Sequence, residues 1–220
     1  MKNILITGDK GYLGMHIQHM IAQKFDDINI ITLTERIEDD FSIFDNIEQL
    51  DCIIHLAAIA NTFDKYTDDE IKKDIDRNKL IIRLGLKHNI PIIYASSEVI
   101  LDDNDNSVYK YVKKHCINDY NTLCDKSIIM HIPRVYSADR EQGLIPKLLK
   151  NKIPEKDLNK EIEFIDIKDF LKIIEDLLNH KIIWSNKSNL RFRFTTNWVN
   201  KEKLTLREIK EKYEKKSNSK

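Results

Sequence analysis

Apolar and polar positions along this 220-residue chain follow two alternating periods. Short, nearly unbroken apolar runs stand at residues 3–7, 29–34, 52–57, 90–95, 128–133 and 190–195, each the length of a strand buried on both faces. Between them, apolar residues recur three and four apart over 12–24, 68–87, 109–120, 144–150, 168–179 and 206–215. That spacing lays one apolar stripe along a helix, as Leu13, Ile17, Met20 and Ile21 do in the first of these stretches. The alternation predicts an α/β fold, a doubly wound parallel sheet covered on both faces by helices. In such a sheet ligands gather at the carboxyl ends of the strands, near the switch in strand order. No internal repeat or low-complexity linker breaks the pattern, and only residues 216–220 read as a disordered tail.

The first junction between the two periods carries the strongest signal. Strand 3–7 runs into Thr7-Gly8-Asp9-Lys10-Gly11-Tyr12-Leu13-Gly14, so three of the chain's five glycines stand three apart in one turn. Missing side chains let the backbone turn tightly, let an anion approach, and let helix and strand pack closely. The helix that follows presents unpaired N–H groups and the positive end of its dipole. The turn therefore reads as the cradle of a dinucleotide pyrophosphate built from Gly8, Gly11, Tyr12, Leu13 and Gly14. A plain turn-and-packing role for the glycines is the alternative.

Bulk properties narrow the partners. Lysine plus arginine balances aspartate plus glutamate at 36 each, giving zero formal net charge and no bulk attraction for nucleic acid or an anionic membrane. No apolar run is long enough to span a bilayer, and Met1-Lys2-Asn3 leads into a strand with no room for a signal peptide. Cys52, Cys116 and Cys124 are odd in number and lack metal-ligand spacing, so free thiols in a cytoplasmic protein without a metal are expected.

Two groups of residues offer chemistry. Tyr109 and Lys113 lie four apart on a predicted helix and share a face, whereas Tyr111 and Lys114 are three apart and differently phased. A phenol with a pKa of about 10 is a poor base at neutral pH, and a neighbouring ammonium favours the phenolate. The bland alternative is a packed tyrosine beside a solvated lysine. Upstream, the strand in Ile92-Ile93-Tyr94-Ala95-Ser96-Ser97-Glu98-Val99 ends on two hydroxyls and an acid. A serine there can hydrogen-bond a carbonyl or alcohol oxygen on which charge develops; alternatively these residues cap the next segment.

Several motifs in one order resemble the extended short-chain dehydrogenase/reductases, the group of nucleotide-sugar epimerases, dehydratases and reductases. They are Thr7-Gly8-x-x-Gly11-Tyr12-Leu13-Gly14, His55-Leu56-Ala57-Ala58, Tyr94-Ala95-Ser96-Ser97-Glu98-Val99 and Tyr109-x-x-x-Lys113. They continue with Pro133-Arg134-Val135-Tyr136, which resembles a turn, then Phe164-Ile165-Asp166-Ile167-x-Asp169 and Leu204-Thr205-Leu206-Arg207-Glu208-Ile209. The likeness covers nearly all of residues 1–210 and implies a Rossmann-type fold. It further implies a single dinucleotide-binding domain over 1–215, with a reduced substrate lobe drawn mainly from 137–165 and 180–215. By position, Ser96 would bind the reacting oxygen, Tyr109 would be the acid/base, and Lys113 would hold the nicotinamide ribose and lower the phenol pKa. Leu56, Ala57, Ala58, Asn78 and Pro133 would line the coenzyme, and Asp40-Phe41 would contact adenine. Ser97, Glu98 and Arg134 would face the substrate, a nucleotide-linked sugar.

Coenzyme choice is written after the second strand, where an acid binds the NAD ribose and an arginine accommodates the NADP phosphate. Thr34 with nearby Arg36 leans towards NADP, while Glu35, one residue on, supports NAD. Relatives pair through the helices corresponding to 68–87 and 109–120, so the resemblance implies a homodimer, with Ile71, Ile75, Ile82 and Leu86 on the first of these. Three departures set this chain apart. Residues 100–108 are short, Ile100-Leu101 replaces the family's tyrosine-glycine, and Ser137-Ala138-Asp139-Arg140 replaces its glycine-proline step. Two classes of function follow: an NAD(P)-dependent enzyme on an activated sugar, or a non-catalytic dinucleotide sensor or scaffold on the same fold.

Overall fold

The computed structural model describes residues 1–33, 44, 47, 49–59, 65–137, 140, 143–184, 192–196 and 201–217. In chain order the elements are β1 Lys2–Thr7, α1 Tyr12–Lys24, β2 Ile28–Thr32, β3 Cys52–His55, α2 Asp68–His88, β4 Ile92–Ser97, α3 Val108–Leu123 and β5 Lys126–Ile132. They continue with β6 Arg134–Tyr136, α4 Leu144–Leu149, β7 Glu161–Asp166, α5 Ile167–Asn179, β8 Phe192–Thr196, β9 Glu202–Thr205 and α6 Leu206–Ser217. The chain divides into two compact units, Met1–Ile132 with Ile174–Asn197, and Pro133–Ile173 with Trp198–Lys220.

The first unit is built on a six-stranded sheet of order β2-β1-β3-β4-β5-β8, parallel throughout. Its central strands are isoleucine-rich and buried on both faces, as helix-covered parallel strands must be. Strand order reverses between β1 and β3, so the chain leaves both strands at the same edge of the sheet, at a topological switch point. Tyr94, Val112, Cys116, Tyr120 and Ile129 join one core cluster, with the Tyr94 and Tyr120 rings stacked at 4.5 Å. α2 begins at a capping box. The Thr67 hydroxyl accepts from the Glu70 amide at 3.2 Å, and the Glu70 carboxylate accepts from the Thr67 amide at 2.8 Å. It ends at Asn89, left-handed at φ 55°. Ile82 of α2 is buried in the core, whereas Leu86 is exposed.

The second unit pairs β6 parallel to β7 and β7 antiparallel to β9. Tyr136, Leu148, Phe164, Leu206, Ile209 and Tyr213 form its core. α6 starts where the Thr205 hydroxyl accepts from the Glu208 amide at 3.2 Å.

Two differences from expectation follow from strand pairing. Residues 134–136, expected as part of a turn, pair with Phe164–Asp166 and form β6. Residues 174–197 belong to the first unit, because β8 pairs along β5 from Lys126 to Met130; the lobe expected from 180 onward excludes this strand. Among the described residues no helix is long and apolar enough to cross a membrane.

Candidate active site

The glycine turn is shaped by its neighbours. Gly8 takes φ +72°, and a Cβ there would lie 2.9 Å from the Ala57 backbone nitrogen, so the turn and the chain leaving β3 touch backbone to backbone. A Cβ on Gly14 would collide with the Gly8 carbonyl oxygen and stand 2.8 Å from the Asp9 Cα. Packing and φ thus call for glycine at both Gly8 and Gly14. Gly11 occupies the N-cap of α1 in extended conformation, with no side-chain cap and no acidic residue in the first helical turn. The start of α1 is therefore left to an external acceptor in a way that α2, with its full capping box, is not.

Thr7 and His55 tie the two strand ends together. The Thr7 hydroxyl lies 2.6 Å from His55 Nδ1 and accepts from the Ala57 amide at 3.3 Å. The hydroxyl thus bridges the imidazole and the Ala57 amide. Burial first, then Lys113, holds the His55 pKa down at about 3, and Asn78 beside it pulls the other way. Asn78, 2% exposed on α2, faces the His55 imidazole.

Tyr109 and Lys113 share a face of α3 as their spacing predicts, with the ammonium 5.7 Å from the phenol ring centroid. Lys113 is 3% exposed, donates to the Ala95 carbonyl at 2.8 Å and sits 5.0 Å over the Tyr94 ring. Burial pushes the Lys113 pKa below its ordinary value. Burial likewise raises the Tyr109 pKa, partly offset by the Ser97 hydroxyl, which can donate to the phenolate. Lys113, expected to lower the phenol pKa, is not among the groups that shift it here. The hydroxyl that meets the phenol is that of Ser97, which also accepts from the Val99 amide at 3.3 Å. Ser96 is 4% exposed, and its hydroxyl has no hydrogen-bond partner.

Loop 98–107 delivers Tyr109 in few residues. Glu98–Leu101 forms a 3-10 turn, Asp102 and Asp105 accept from the Asn104 and Ser107 amides at 3.0 and 2.7 Å, and Ser107 caps α3. Lys110, buried beside Tyr109, donates its ammonium to the Asp102 carbonyl. The shortness of this segment is thus a folded feature.

Gly8, Gly11, Tyr12, Leu13, Gly14, Leu56, Ala57, Ala58, Asn78, Ser96, Ser97, Glu98, Tyr109 and Lys113 all fall in the first unit, while Pro133 and Arg134 fall in the second. Thr34, Arg36, Asp40 and Phe41 lie outside the described residues. Sequence reasoning missed Asp74 and Lys110. Asp74 stands four residues before Asn78, a spacing that places both on one helix face. Lys110 carried no signal. The fit to a dinucleotide rests on a helix start without a side-chain cap, a close backbone approach at Gly8, and a buried hydroxyl, that of Ser96, with no hydrogen-bond partner among the described residues.

Comparison with known proteins agrees with this geometry. The family model of the NAD dependent epimerase/dehydratase family matches residues 4–184. A solved UDP-galactose 4-epimerase superposes with a TM-score of 0.72 at 12% identity, covering 95% of this chain and 81% of that one. A dTDP-4-dehydrorhamnose reductase from Bacillus anthracis str. Ames, in complex with NADP, gives 0.76 at 15% identity, covering 99% and 82%. At such identities the likeness establishes the fold. The 3 beta-hydroxysteroid dehydrogenase/Delta 5-->4-isomerase of Monkeypox virus is 29% identical over 124 residues, covering 45% of this chain and 35% of that protein. The match therefore spans about a third of the viral relative's length.

Proposed function

This chain belongs to the NAD-dependent epimerase/dehydratase family, and from that premise we propose that it is an NAD(P)-dependent oxidoreductase or isomerase acting on a nucleotide-linked sugar. The observation that carries the reading is a phenol and a buried ammonium on one face of α3, beside two serines at the carboxyl end of β4. The glycine turn and the β3 exit lie at the same edge of the parallel sheet.

Gly8, Gly11, Tyr12, Leu13 and Gly14 would hold the diphosphate, and Leu56, Ala57, Ala58 and Asn78 would line the coenzyme beyond it. When bound, the nicotinamide ring supplies or takes up hydride at a sugar carbon. Tyr109 moves the accompanying proton. With its pKa raised by burial, the phenol stands protonated at neutral pH and suited to donate to a carbonyl oxygen, the direction that reduction requires. Lys113, fixed by the Ala95 carbonyl, brings positive charge to the phenol and a donor for the ribose. Ser97 steadies the phenol, and Ser96 keeps an unengaged hydroxyl for the reacting oxygen. Glu98 would face the substrate. The roles of Pro133 and Arg134, and the choice of NADP through Thr34 and Arg36 with Asp40 and Phe41 at the adenine, rest on the resemblance alone. So does a homodimer. A second reading, oxidation of a 3β-hydroxysteroid, is favoured by the viral relatives.

The test is direct binding of NADH and NADPH, followed by turnover on UDP-galactose, UDP-glucuronic acid, a dTDP-linked keto-sugar and a 3β-hydroxysteroid. Tyr109→Phe is expected to lower turnover by about 10²- to 10⁴-fold while leaving coenzyme affinity within about threefold. Turnover that survives this change removes Tyr109 from the chemistry. Coenzyme binding without turnover on the whole panel establishes the sensor reading instead.

A further inference from the structure

We infer that Gln18 is a positioning residue for the glycine turn: its amide holds the Asp9 carbonyl against α1, so that the turn offers N–H groups rather than carbonyl oxygens to an approaching diphosphate. This rests on the dinucleotide reading of the turn proposed above, and the test below separates the two.

The hold is geometric. Gln18 is half-buried on α1, and its Nε2 donates to the Asp9 carbonyl at 2.8 Å and to the Gly14 carbonyl, four residues back on its own helix, at 3.3 Å. Both partners are acceptors, so only the NH₂ end of the amide fits there. The Asp9 oxygen would lie 2.9 Å from a Cβ on Gly14, and the Gly8 oxygen would meet that Cβ closer still, so both carbonyls of the turn face the helix. The Gly8 oxygen accepts from the Gly11 amide at 2.9 Å, and the Asp9 oxygen accepts from Gln18. In a trans peptide the carbonyl and the following N–H point to opposite sides. Holding these two oxygens inward therefore aims the Asp9 and Lys10 N–H groups away from the helix.

A donor in this place does what a cap does not. At the start of α2 the Thr67 hydroxyl and the Glu70 carboxylate accept from amides, and so fill the place an anion would take. At α1 the N-cap is Gly11, without a side-chain cap, and Gln18 reaches the turn from further along the helix as a donor. It occupies oxygens and blocks no amide. Asp9 and Lys10 lie between Gly8 and Gly11, so the backbone on either side resists rotation of their shared peptide little. Released from Gln18, that peptide can turn its oxygen outward, where it repels a phosphate oxygen.

Gln18→Met keeps the side-chain length and the helix propensity and removes both N–H donors. In the full chain, titration calorimetry with NADH and NADPH should show affinity for the preferred coenzyme falling about three- to tenfold in this variant. Gln18→Glu, which sets a carboxylate against two carbonyl oxygens, should fall at least as far. Without coenzyme, ¹⁵N relaxation dispersion should find the Lys10 amide quiet in the wild-type protein and exchanging between two orientations in both variants. A tie that merely stiffens α1 would lower the urea midpoint alone. Affinity that holds in both variants, or a Lys10 amide that stays quiet, overturns the inference. Should Gln18→Met fail to fold, Gln18→Glu carries the same measurements. If the Lys10 amide gains exchange but neither NADH nor NADPH binds the wild-type protein, Gln18 sets the turn as inferred and the coenzyme reading fails.

Discussion

The two units treat their polar side chains in opposite ways. Ser96, Ser127, His131 and Thr196, all in the first unit, have buried polar side-chain atoms without a hydrogen-bond partner among the described residues. Among the described residues the second unit keeps its charges outside, in pairs such as Glu155–Arg207, Glu161–Lys203 and Glu163–Lys201, over an apolar core. Ser96 and His131 stand directly opposite each other in the β4–β5 register, so their unengaged atoms lie on one face near the carboxyl ends of those strands. Buried polar groups are normally satisfied, and leaving them open costs stability. Open groups at Ser96 and His131 support the coenzyme and substrate site proposed for the first unit.

Acid should separate the units most widely. His55 is buried neutral with a folded pKa of about 3 against an unfolded value near 6.5, so below pH 6.5 the unfolded chain binds a proton that the folded chain does not. Its contribution is whole above pH 6.5 and declines by about 1.4 kcal/mol per pH unit, roughly 4 kcal/mol by pH 3.5. His88 and His131, also lowered by burial, act in the same direction, whereas Asp74, raised by burial, acts against them. Hydrogen exchange resolved by segment should show protection falling in β1, β3 and β4 between pH 6.5 and 4.5 while α6 and β7 hold. His55→Gln should flatten that dependence. Equal loss in both units, or a slope unchanged by the substitution, breaks the comparison.

A paired substitution sharpens it on a smaller scale. Ser96→Ala removes a buried hydroxyl that bonds nothing, so stability should stay level or rise by about 1 kcal/mol. Thr205→Ala in the second unit removes a hydroxyl that caps α6, and should lower stability by about 1 kcal/mol. Urea midpoints of the two variants should therefore move apart. Movement of both downward by the same amount would mean that Ser96 is engaged after all.

Much of this was legible in the residues, for reasons that also mark where reading stopped. The parallel sheet followed from apolar runs flanked by amphipathic stretches, and the Tyr109–Lys113 face from a spacing of four, because both are local periodicities. Gly8 and Gly14 stood out, yet their packing against the Ala57 backbone and the Gly8 carbonyl is a contact between distant segments that spacing does not encode. Which of the two neighbouring serines meets the phenol is unreadable for the same reason: it is Ser97, while Ser96, expected at the reacting oxygen, keeps an unengaged hydroxyl. Strand β6 is too short to carry a period and exists only through its pairing with β7. Asp74 looked like one acid among many on a charged helix until burial distinguished it.

The smallest effect belongs to the ion pairs of the second unit. Glu161 and Lys203 pair diagonally across β7 and β9, where Thr205 and Glu163 are their directly opposite neighbours, with 2.8 Å between charges, yet their side chains are 57% and 60% exposed. Solvent weakens the attraction, salt screens it, and two long side chains lose rotamer freedom to hold one geometry. Lys203→Ala should therefore leave the urea midpoint where it was, at low and at high salt alike. A loss that appears at low salt and fades at high salt would mean that charge organises the β7–β9 pairing. The second unit would then share the first unit's dependence on electrostatics, and the contrast between surface pairing there and buried, unengaged polarity here would no longer set the two units apart.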